Sequence, residues 1–189
     1  MAEPVRVWTV EAFLAWERQQ KERYEFVDGI VRAMVGGSLN RNRVIVSVVS
    51  TLDRQLADGP CEVFVDGAKV VAAENVFYPD VVVSCHDAEG DSDIAPDPVA
   101  IIEVLSPTTS NWDRERKWPI YRNIPSLRYF VMIFQDERRV EMWRRSNHLW
   151  EFTVVTGGSG RIDLPGIGCS LTLDEIYRRT GLAAPSGAG

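Results

Sequence analysis

The sequence predicts an α+β fold with a mixed central sheet, flanking helices and a C-terminal antiparallel meander. One observation is the order of the patterns, which is helix, hairpin, helix, hairpin, strand, helix and then a meander of strands. A second is an apolar run at residues 99–105, rich in β-branched residues, which is typical of a buried strand. A third is a set of apolar runs after residue 126 with polar turns between them, which predicts the meander.

The first predicted elements are a short helix and a hairpin. Thr9 can cap a helix over residues 10–20, because a threonine hydroxyl accepts a hydrogen bond from the first helical turn. Residues 24–27 and 30–35 then flank Asp28-Gly29, a dipeptide that favours a type I′ turn between two antiparallel strands.

A longer helix and two strands follow. Apolar residues recur at helical spacing between Val44 and Leu56, which predicts an amphipathic helix. Residues 61–73 and 76–85 are predicted to be two strands joined by a turn. The acidic segment 86–98 is predicted to be a solvated loop.

A second helical region is predicted after the strand at residues 99–105. Ser110 and Asp113 form an approximate capping box for a helix that continues to about Tyr121, which we expect to be a core aromatic residue. Pro119 lies inside this helix, where it removes a backbone hydrogen bond and is expected to kink the axis.

The C-terminal part is predicted to contain three strands and a final helix. Residues 127–134, 140–144 and 149–155 form the predicted meander. Thr172 with Glu175 makes a good capping box for a helix that ends near residue 179.

Length and composition limit the broad class of protein. Residues 1–182 are predicted to be a single domain, and the small residues 183–189 a disordered tail. No stretch reaches the roughly 20 apolar residues of a membrane span, so a cytoplasmic location without membrane contact is expected. The net charge of -6 argues against a broad cationic surface that coats nucleic acid without sequence preference.

The cysteines give little sign of special chemistry. There are three of them, at positions 61, 85 and 169, far apart and without a CxxC pair. We expect all three to be small buried residues and not zinc ligands or disulfide partners.

Glu103 is the most informative residue, because it lies within the otherwise apolar run of residues 99–105. An isolated buried carboxylate costs several kcal/mol to keep ionised, unless a metal ion or a partner charge compensates it. A second apolar run carries its own acid, Asp80, just before Val81. If the two side chains emerge on the same face of neighbouring strands, they can hold one Mg²⁺, with water completing its coordination.

The ordered motifs resemble those of the Uma-two family of endonucleases, a restriction-endonuclease-like branch of the PD-(D/E)XK nuclease superfamily. The matching segments are Tyr24-Glu25-Phe26-Val27-Asp28-Gly29, Tyr78-Pro79-Asp80-Val81-Val82-Val83 and Glu103-Val104-Leu105-Ser106-Pro107-Thr108-Thr109, followed by Asp113, Lys117 and Tyr121. The resemblance covers about residues 8–180 and implies a restriction-endonuclease-like core. It also implies Mg²⁺ as cofactor, with Mn²⁺ as a substitute, and DNA as the substrate.

The resemblance also implies residue roles. Asp80 and Glu103 would be the metal ligands, with the carbonyl of Val104 as a further oxygen. The superfamily's lysine belongs two residues after the glutamate, where this chain has Leu105, so Lys117 on the following helix is nominated in its place.

Two more acids join the predicted catalytic set. Asp113 lies one helical turn before Lys117 and can orient its ammonium group. Glu25, in the Tyr-Glu motif, would be a further acid near the metal. The catalytic set is therefore Lys117, Glu25 and Asp113, and Lys69 is the competing candidate for the catalytic lysine.

Two departures from the family pattern bear on activity. The family commonly has a histidine near the start of the long helix, where this chain has Arg41, and Pro119 interrupts the helix that carries Lys117. Two alternatives to an endonuclease therefore stay open. One is a catalytically silent dimeric binding or scaffold module of the same fold, and the other is a hydrolase of small phosphate esters. A homodimer is expected, because the sequence is rich in tryptophan and many nucleases cut two strands as symmetric pairs.

Overall fold

Two sheets and five α-helices carry the fold in the described residues of the computed structural model, which are 8–34, 36–65, 67–106, 110–158 and 160–183. The strands are β1 Tyr24–Val27, β2 Ile30–Ala33, β3 Glu62–Val65, β4 Val70–Ala72, β5 Asn75–Phe77, β6 Val81–Ser84, β7 Pro98–Leu105, β8 Tyr129–Phe134, β9 Arg139–Ser146 and β10 Leu149–Thr156, with a separate pair β11 Arg161–Leu164 and β12 Cys169–Thr172. The α-helices are α1 Val10–Glu17, α2 Leu39–Leu56, α3 Ser110–Trp112, α4 Trp118–Tyr121 and α5 Leu173–Tyr177. Of the predicted disordered tail, residues 184–189 lie outside the described residues.

The larger sheet has six strands in the order β10-β9-β8-β7-β6-β3. Strands β7 and β8 are parallel, and the other neighbouring pairs are antiparallel. The predicted mixed central sheet and the C-terminal meander of β8, β9 and β10 are therefore confirmed. A helical crossover between β7 and β8 is required by their parallel arrangement, and residues 110–121 supply it.

The smaller sheet has the order β2-β1-β5-β4 and is built from two hairpins. The predicted turn at Asp28-Gly29 is confirmed, since both residues have positive φ values, 50° and 78°. The prediction of two long strands over 61–73 and 76–85 is wrong. The chain changes sheet twice there, so that β3 and β6 join the large sheet while β4 and β5 form a hairpin in the small one.

One face of the large sheet is covered by α2. The predicted amphipathic helix is confirmed, and its residues Val44, Val48 and Leu52 are fully buried against Val83 and Ile102 of the sheet. Helix α5 and the β11–β12 pair complete this layer, and the predicted capping box of Thr172 with Glu175 is present at the start of α5.

The other face is covered by the small sheet and by the helical segment 110–121. Between α3 and α4 this segment makes a π-helical turn, Asp113–Lys117, in which the N–H of Trp118 bonds to the carbonyl of Asp113. A π-turn accommodates the proline that follows in the chain, so Pro119 changes the local winding and the chain stays helical through Tyr121. The predicted capping box is wrong, because Ser110 is already helical and Asp113 is buried within the segment.

The prediction for the cysteines is wrong for two of the three. Cys61 precedes β3 and Cys85 follows β6, and these antiparallel neighbours pair Glu62 with Ser84, which brings the two sulfurs together as a disulfide. Cys169 is the expected buried free thiol.

No helix among the described residues is long and apolar enough to cross a membrane.

Candidate active site

The two predicted metal ligands lie on the same face of neighbouring strands. Val81 pairs with Ile102 in the β6–β7 register, so Asp80, one residue before Val81, lies next to Glu103. Side chains alternate along a strand, and Val82 and Ile101 belong to the apolar cluster beneath the small sheet. Asp80 and Glu103 share that face, which is the geometry that the sequence analysis required for a shared cation.

Asp80 is held at the entrance to β6 by two groups. Its Oδ2 accepts a hydrogen bond of 2.7 Å from the backbone N–H of Val104, and its Oδ1 pairs with the guanidinium of Arg41. Burial raises the pKa of Asp80, although Arg41 and the Val104 amide both act in the opposite direction.

Lys117 lies at the centre of three other carboxylates. Its Nζ is 2.7 Å from Glu25 Oε1, 3.2 Å from Glu103 Oε1 and 3.2 Å from Asp113 Oδ1. The lysine and its three partners are all buried. The four residues come from β1, β7 and the π-turn, so the structure brings the predicted catalytic set together with Glu103.

Lys117 reaches the cluster from the helical segment and not from strand β7. Leu105, the position where the superfamily places its lysine, is fully buried in the apolar cluster of the same face. The helical segment packs on that cluster, and the side chain of Lys117 extends from it to contact Glu25 of β1 and Glu103 of β7.

Glu25, in the small sheet, also contacts the segment that leads into the large sheet. Its Oε1 accepts a 3.1 Å hydrogen bond from the backbone N–H of Tyr78, two residues before Asp80. Glu25 therefore contacts both the segment that leads to Asp80 and the ammonium of Lys117.

Tyr121 belongs to the cluster, although the sequence analysis treats it as a core aromatic residue. Its ring is buried against Phe77 and Phe130, but its hydroxyl donates to Glu103 Oε1 at 3.2 Å. The spacing of four residues from Lys117 was the available signal, since residues i and i+4 lie on one face of a helix.

Burial and neighbouring charges shift the pKa values of Glu103 and Lys117. Burial raises the pKa of Glu103 well above its ordinary value; Lys117 opposes this shift, and the carboxylates of Asp113, Asp80 and Glu25 reinforce it. Burial disfavours the charge of Lys117, but Glu103, Glu25 and Asp113 outweigh that effect and raise the pKa of its ammonium well above the usual range. Four acids line this cleft together with three cations, Lys117, Arg41 and Arg32, which leaves one formal negative charge when all groups are ionised.

Lys69 is engaged elsewhere. Its Nζ is 2.6 Å from Asp93 Oδ2 and 3.2 Å from Glu17 Oε2, and Glu17 also accepts a hydrogen bond from the hydroxyl of Tyr78. The structure thus places Lys117, and not Lys69, among the acids of the cluster.

A small open cleft, with a cavity volume of about 70 Å³, reaches the cluster from solvent. Its walls include Glu25, Asp80, Glu103, Asp113 and Lys117. Among the described residues, no three His, Cys, Asp or Glu side chains are arranged to hold a metal ion by themselves. Asp80, Glu103 and the Val104 carbonyl supply the hard oxygen atoms that Mg²⁺ prefers, and Mg²⁺ ordinarily keeps several waters, so one or two carboxylates suffice.

Comparison with known proteins gives a consistent family. The model of the Uma2 family, described as "Putative restriction endonuclease", matches residues 10–174. The uncharacterized protein slr1290 of Synechocystis sp. is 31% identical over 171 residues, which is 89% of this chain and 90% of that protein. The uncharacterized protein sll1609 of the same organism is 30% identical over 164 residues, which is 84% of this chain and 93% of that protein.

A crystal structure described as a "putative nuclease belonging to DUF820" from Anabaena variabilis is similar in fold. The TM-score is 0.74 at 16% sequence identity, and the match covers 92% of this chain and 99% of that chain. The predicted fold class is therefore confirmed, and so is the resemblance on which the residue roles were assigned.

Proposed function

Since the chain belongs to the Uma2 family of restriction-endonuclease-like nucleases, we propose that it is a Mg²⁺-dependent endonuclease that hydrolyses phosphodiester bonds in DNA. The observation that carries the proposal is the position of Asp80 and Glu103 on one face of neighbouring strands, with Lys117 in contact with Glu103. A nuclease of this type needs hard oxygen ligands next to a fixed cation, and the cleft offers both.

The acid pair fits a divalent cation on charge and on chemistry. One formal negative charge remains in the cleft after Lys117, Arg41 and Arg32 are counted, and burial makes that excess costly. Asp80, Glu103 and the carbonyl of Val104 would hold the ion. When bound, a divalent cation lowers the pKa of a water ligand and polarises a phosphoryl oxygen.

The chain's own residues have separate parts in this mechanism. Lys117 stays protonated and holds positive charge beside Glu103, where it can stabilise the negative charge that develops on an attacked phosphate. Glu25 and Asp113 fix the ammonium by contacts of 2.7 and 3.2 Å, so that its position is set before substrate arrives.

A second cleft, with a cavity volume of about 360 Å³, adjoins the first and offers a path for a phosphate backbone. It shares Arg41, Tyr78 and Asp80 with the acid cleft and adds Arg23 and Asn42. Arginine and asparagine are common donors to phosphate oxygens. This local patch is compatible with the net charge of -6, because phosphate contacts need positive charge only where the backbone passes.

The metal site is tested by titrating Mn²⁺ into the protein by calorimetry, since Mn²⁺ binds oxygen sites more tightly than Mg²⁺. We expect binding in the wild type and its loss in Glu103→Gln, which removes one ligand charge and keeps the shape. The matched control is Glu141→Gln. Glu141 is a buried acid of the same sheet, aligned with Glu103 across Met132 of β8, but it pairs with Arg114 and Arg139.

Equal binding by the wild type and Glu103→Gln would refute the metal site. Cleavage of supercoiled plasmid in Mg²⁺, absent in Glu103→Gln, would then establish the reaction. Competition by mononucleotides at low concentration would instead favour a hydrolase of small phosphate esters.

We also propose that two copies associate through β10, because a domain with one acid cluster needs a second copy to cut both strands. This strand is an edge of the large sheet and exposes Leu149, Phe152 and Val154, with relative exposures of 74%, 53% and 44%. Long apolar edge strands tend to pair with another strand. Sedimentation equilibrium should give a dimer in the wild type and a monomer in Phe152→Glu; a wild-type monomer would refute this part.

A further inference from the structure

Arg41 enters the acid cleft from the first turn of α2. Its backbone N–H donates to the hydroxyl of Ser38, the N-cap of this helix, at 3.1 Å, so its Cα is fixed relative to the sheet. Gly37 leaves room for the side chain: a Cβ at this position would lie 2.8 Å from Arg41 Cδ and 2.9 Å from Nη1. A side chain at position 37 would therefore crowd the arginine in its present position.

The guanidinium contacts two groups that the proposed metal site also uses. Its Nη2 pairs with Oδ1 of Asp80, and its Nε donates to the carbonyl of Val104 at 3.3 Å. A divalent cation bound by Asp80 and the Val104 carbonyl would need the same oxygens. Two cations cannot share them at contact distance, since like charges a few ångströms apart repel strongly in a buried site.

We propose that Arg41 is a displaceable counter-cation, which neutralises Asp80 in the metal-free protein and must leave before a divalent cation binds. The inference rests on the proposed metal site and goes beyond it by stating what competes for that site. Asp80 is thus compensated in both states, first by the guanidinium and then by the metal.

The guanidinium of Arg41 can move into the adjoining cleft. Arg41 lines the adjoining cleft together with Arg23 and Asn42, and its side chain is already 27% exposed. There it can donate to a phosphate oxygen, which is the partner that a guanidinium binds best after a carboxylate. A phosphodiester that draws Arg41 away from Asp80 makes metal binding easier, and by linkage bound metal makes phosphate binding easier.

A different role for Arg41 is a plain structural ion pair that attaches α2 to the sheet. The two roles differ in what they predict for metal affinity. If Arg41 competes with the metal, removing it tightens metal binding. If it only supports the position of Asp80, removing it weakens metal binding or leaves it unchanged.

The experiment is a calorimetric titration of Mn²⁺ into five proteins: wild type, Arg41→Ala, Arg43→Ala, Gly37→Ala and Glu103→Gln. Arg43 is the matched control, because it lies on the same helix, is exposed and bonds to Asn40. We expect Arg41→Ala to bind Mn²⁺ about tenfold more tightly than wild type, equivalent to about 1.4 kcal/mol. Arg43→Ala should stay within about twofold of wild type, because single exposed charges have small effects.

Gly37→Ala keeps the arginine and changes only the space beside it. The backbone of Gly37 lies outside the positive-φ region, so alanine is compatible with it. The added methyl group should push Arg41 away from Asp80 and raise the Mn²⁺ affinity in the same direction as Arg41→Ala. This variant also decides the question if Arg41→Ala does not fold.

The outcomes separate this proposal from the metal site itself. Tighter binding in Arg41→Ala or Gly37→Ala, with Arg43→Ala unchanged, supports displacement. Unchanged or weaker binding in both variants, while Glu103→Gln abolishes binding, overturns displacement and leaves the metal site standing. Equal Mn²⁺ binding by the wild type and Glu103→Gln, or no Mn²⁺ binding by any of the proteins, overturns both.

Discussion

Lys117→Met removes the ammonium that three buried carboxylates share, and we expect it to be the most destabilising single change in the cluster. Methionine keeps most of the side-chain length without the charge. Glu25, Glu103 and Asp113 lie within 2.7, 3.2 and 3.2 Å of Nζ, so the change leaves three neighbouring acids without this counter-charge. Breaking a buried ion pair by removing one partner typically costs about 3 to 5 kcal/mol.

The loss should depend on pH in a defined direction. The pKa of Lys117 is raised in the folded protein, so its stabilising effect is fully present below the unfolded lysine pKa and is lost only as the pH rises through the folded pKa. In Lys117→Met the pH dependence of stability comes instead from the ionisation of the buried carboxyl groups. A buried carboxyl whose folded pKa is raised costs stability when ionised, and this cost disappears as the pH falls and the carboxyl takes up a proton.

Urea unfolding followed by circular dichroism at pH 7.5 and pH 5 measures both effects. We expect a deficit of about 3 to 5 kcal/mol at the higher pH and a smaller one at the lower pH. Arg116→Met is the matched control, because Arg116 is the preceding residue and forms an exposed pair with Asp28 at 3.4 Å. That change should cost less than about 1 kcal/mol at either pH.

A double variant tests the charge argument directly. Adding Glu103→Gln to Lys117→Met removes one of the excess negative charges, so the double variant should be more stable than Lys117→Met alone. A deficit below about 1 kcal/mol for Lys117→Met at pH 7.5, or one that does not shrink at pH 5, would refute the reasoning.

Three further changes have clear expected results. Replacing Cys61 and Cys85 by serine opens a loop with a sequence separation of 24 and should lower the free energy of unfolding by about 3.5 kcal/mol, measured with urea against the oxidised wild type. Equal stability of the two proteins would mean that the thiols are reduced in the purified wild type. Tyr121→Phe removes a donor to Glu103 and should cost about 1 kcal/mol in the same assay, without loss of Mn²⁺ binding. Lys69→Met should also lower stability but leave Mn²⁺ affinity unchanged at a temperature where it stays folded, whereas a large change in affinity would place Lys69 in the site.

The alternation of side chains along strands made part of the site predictable. Asp80 and Glu103 interrupt apolar runs in consecutive strands, which predicted that they are neighbours, and the register of β6 with β7 places them on one face. The i, i+4 spacing of Asp113 and Lys117 was equally informative, because that distance holds in a helix whatever the rest of the fold does.

Other contacts depend on packing that no local pattern encodes. The disulfide forms because the chain leaves the large sheet after β3 and returns to it in β6. The two strands in between, β4 and β5, have three residues each, which is too short to show a recognisable alternation of apolar and polar residues. The contact of Arg41 with Asp80 joins residues 39 positions apart through the docking of α2 on the sheet. In the sequence, Arg41 stands out only as a departure from a family pattern, because its partner depends on tertiary structure.

Assembly of the acid cluster from three chain segments has a consequence for protein dynamics. Glu25 belongs to the small sheet, Glu103 to the large sheet and Lys117 to the helical segment between β7 and β8. Partial opening of the small sheet would withdraw Glu25 from Lys117 and expose the amide of Tyr78, while the large sheet stays folded. The exchange rate of that one amide proton with solvent deuterium therefore reports how often the site comes apart without global unfolding.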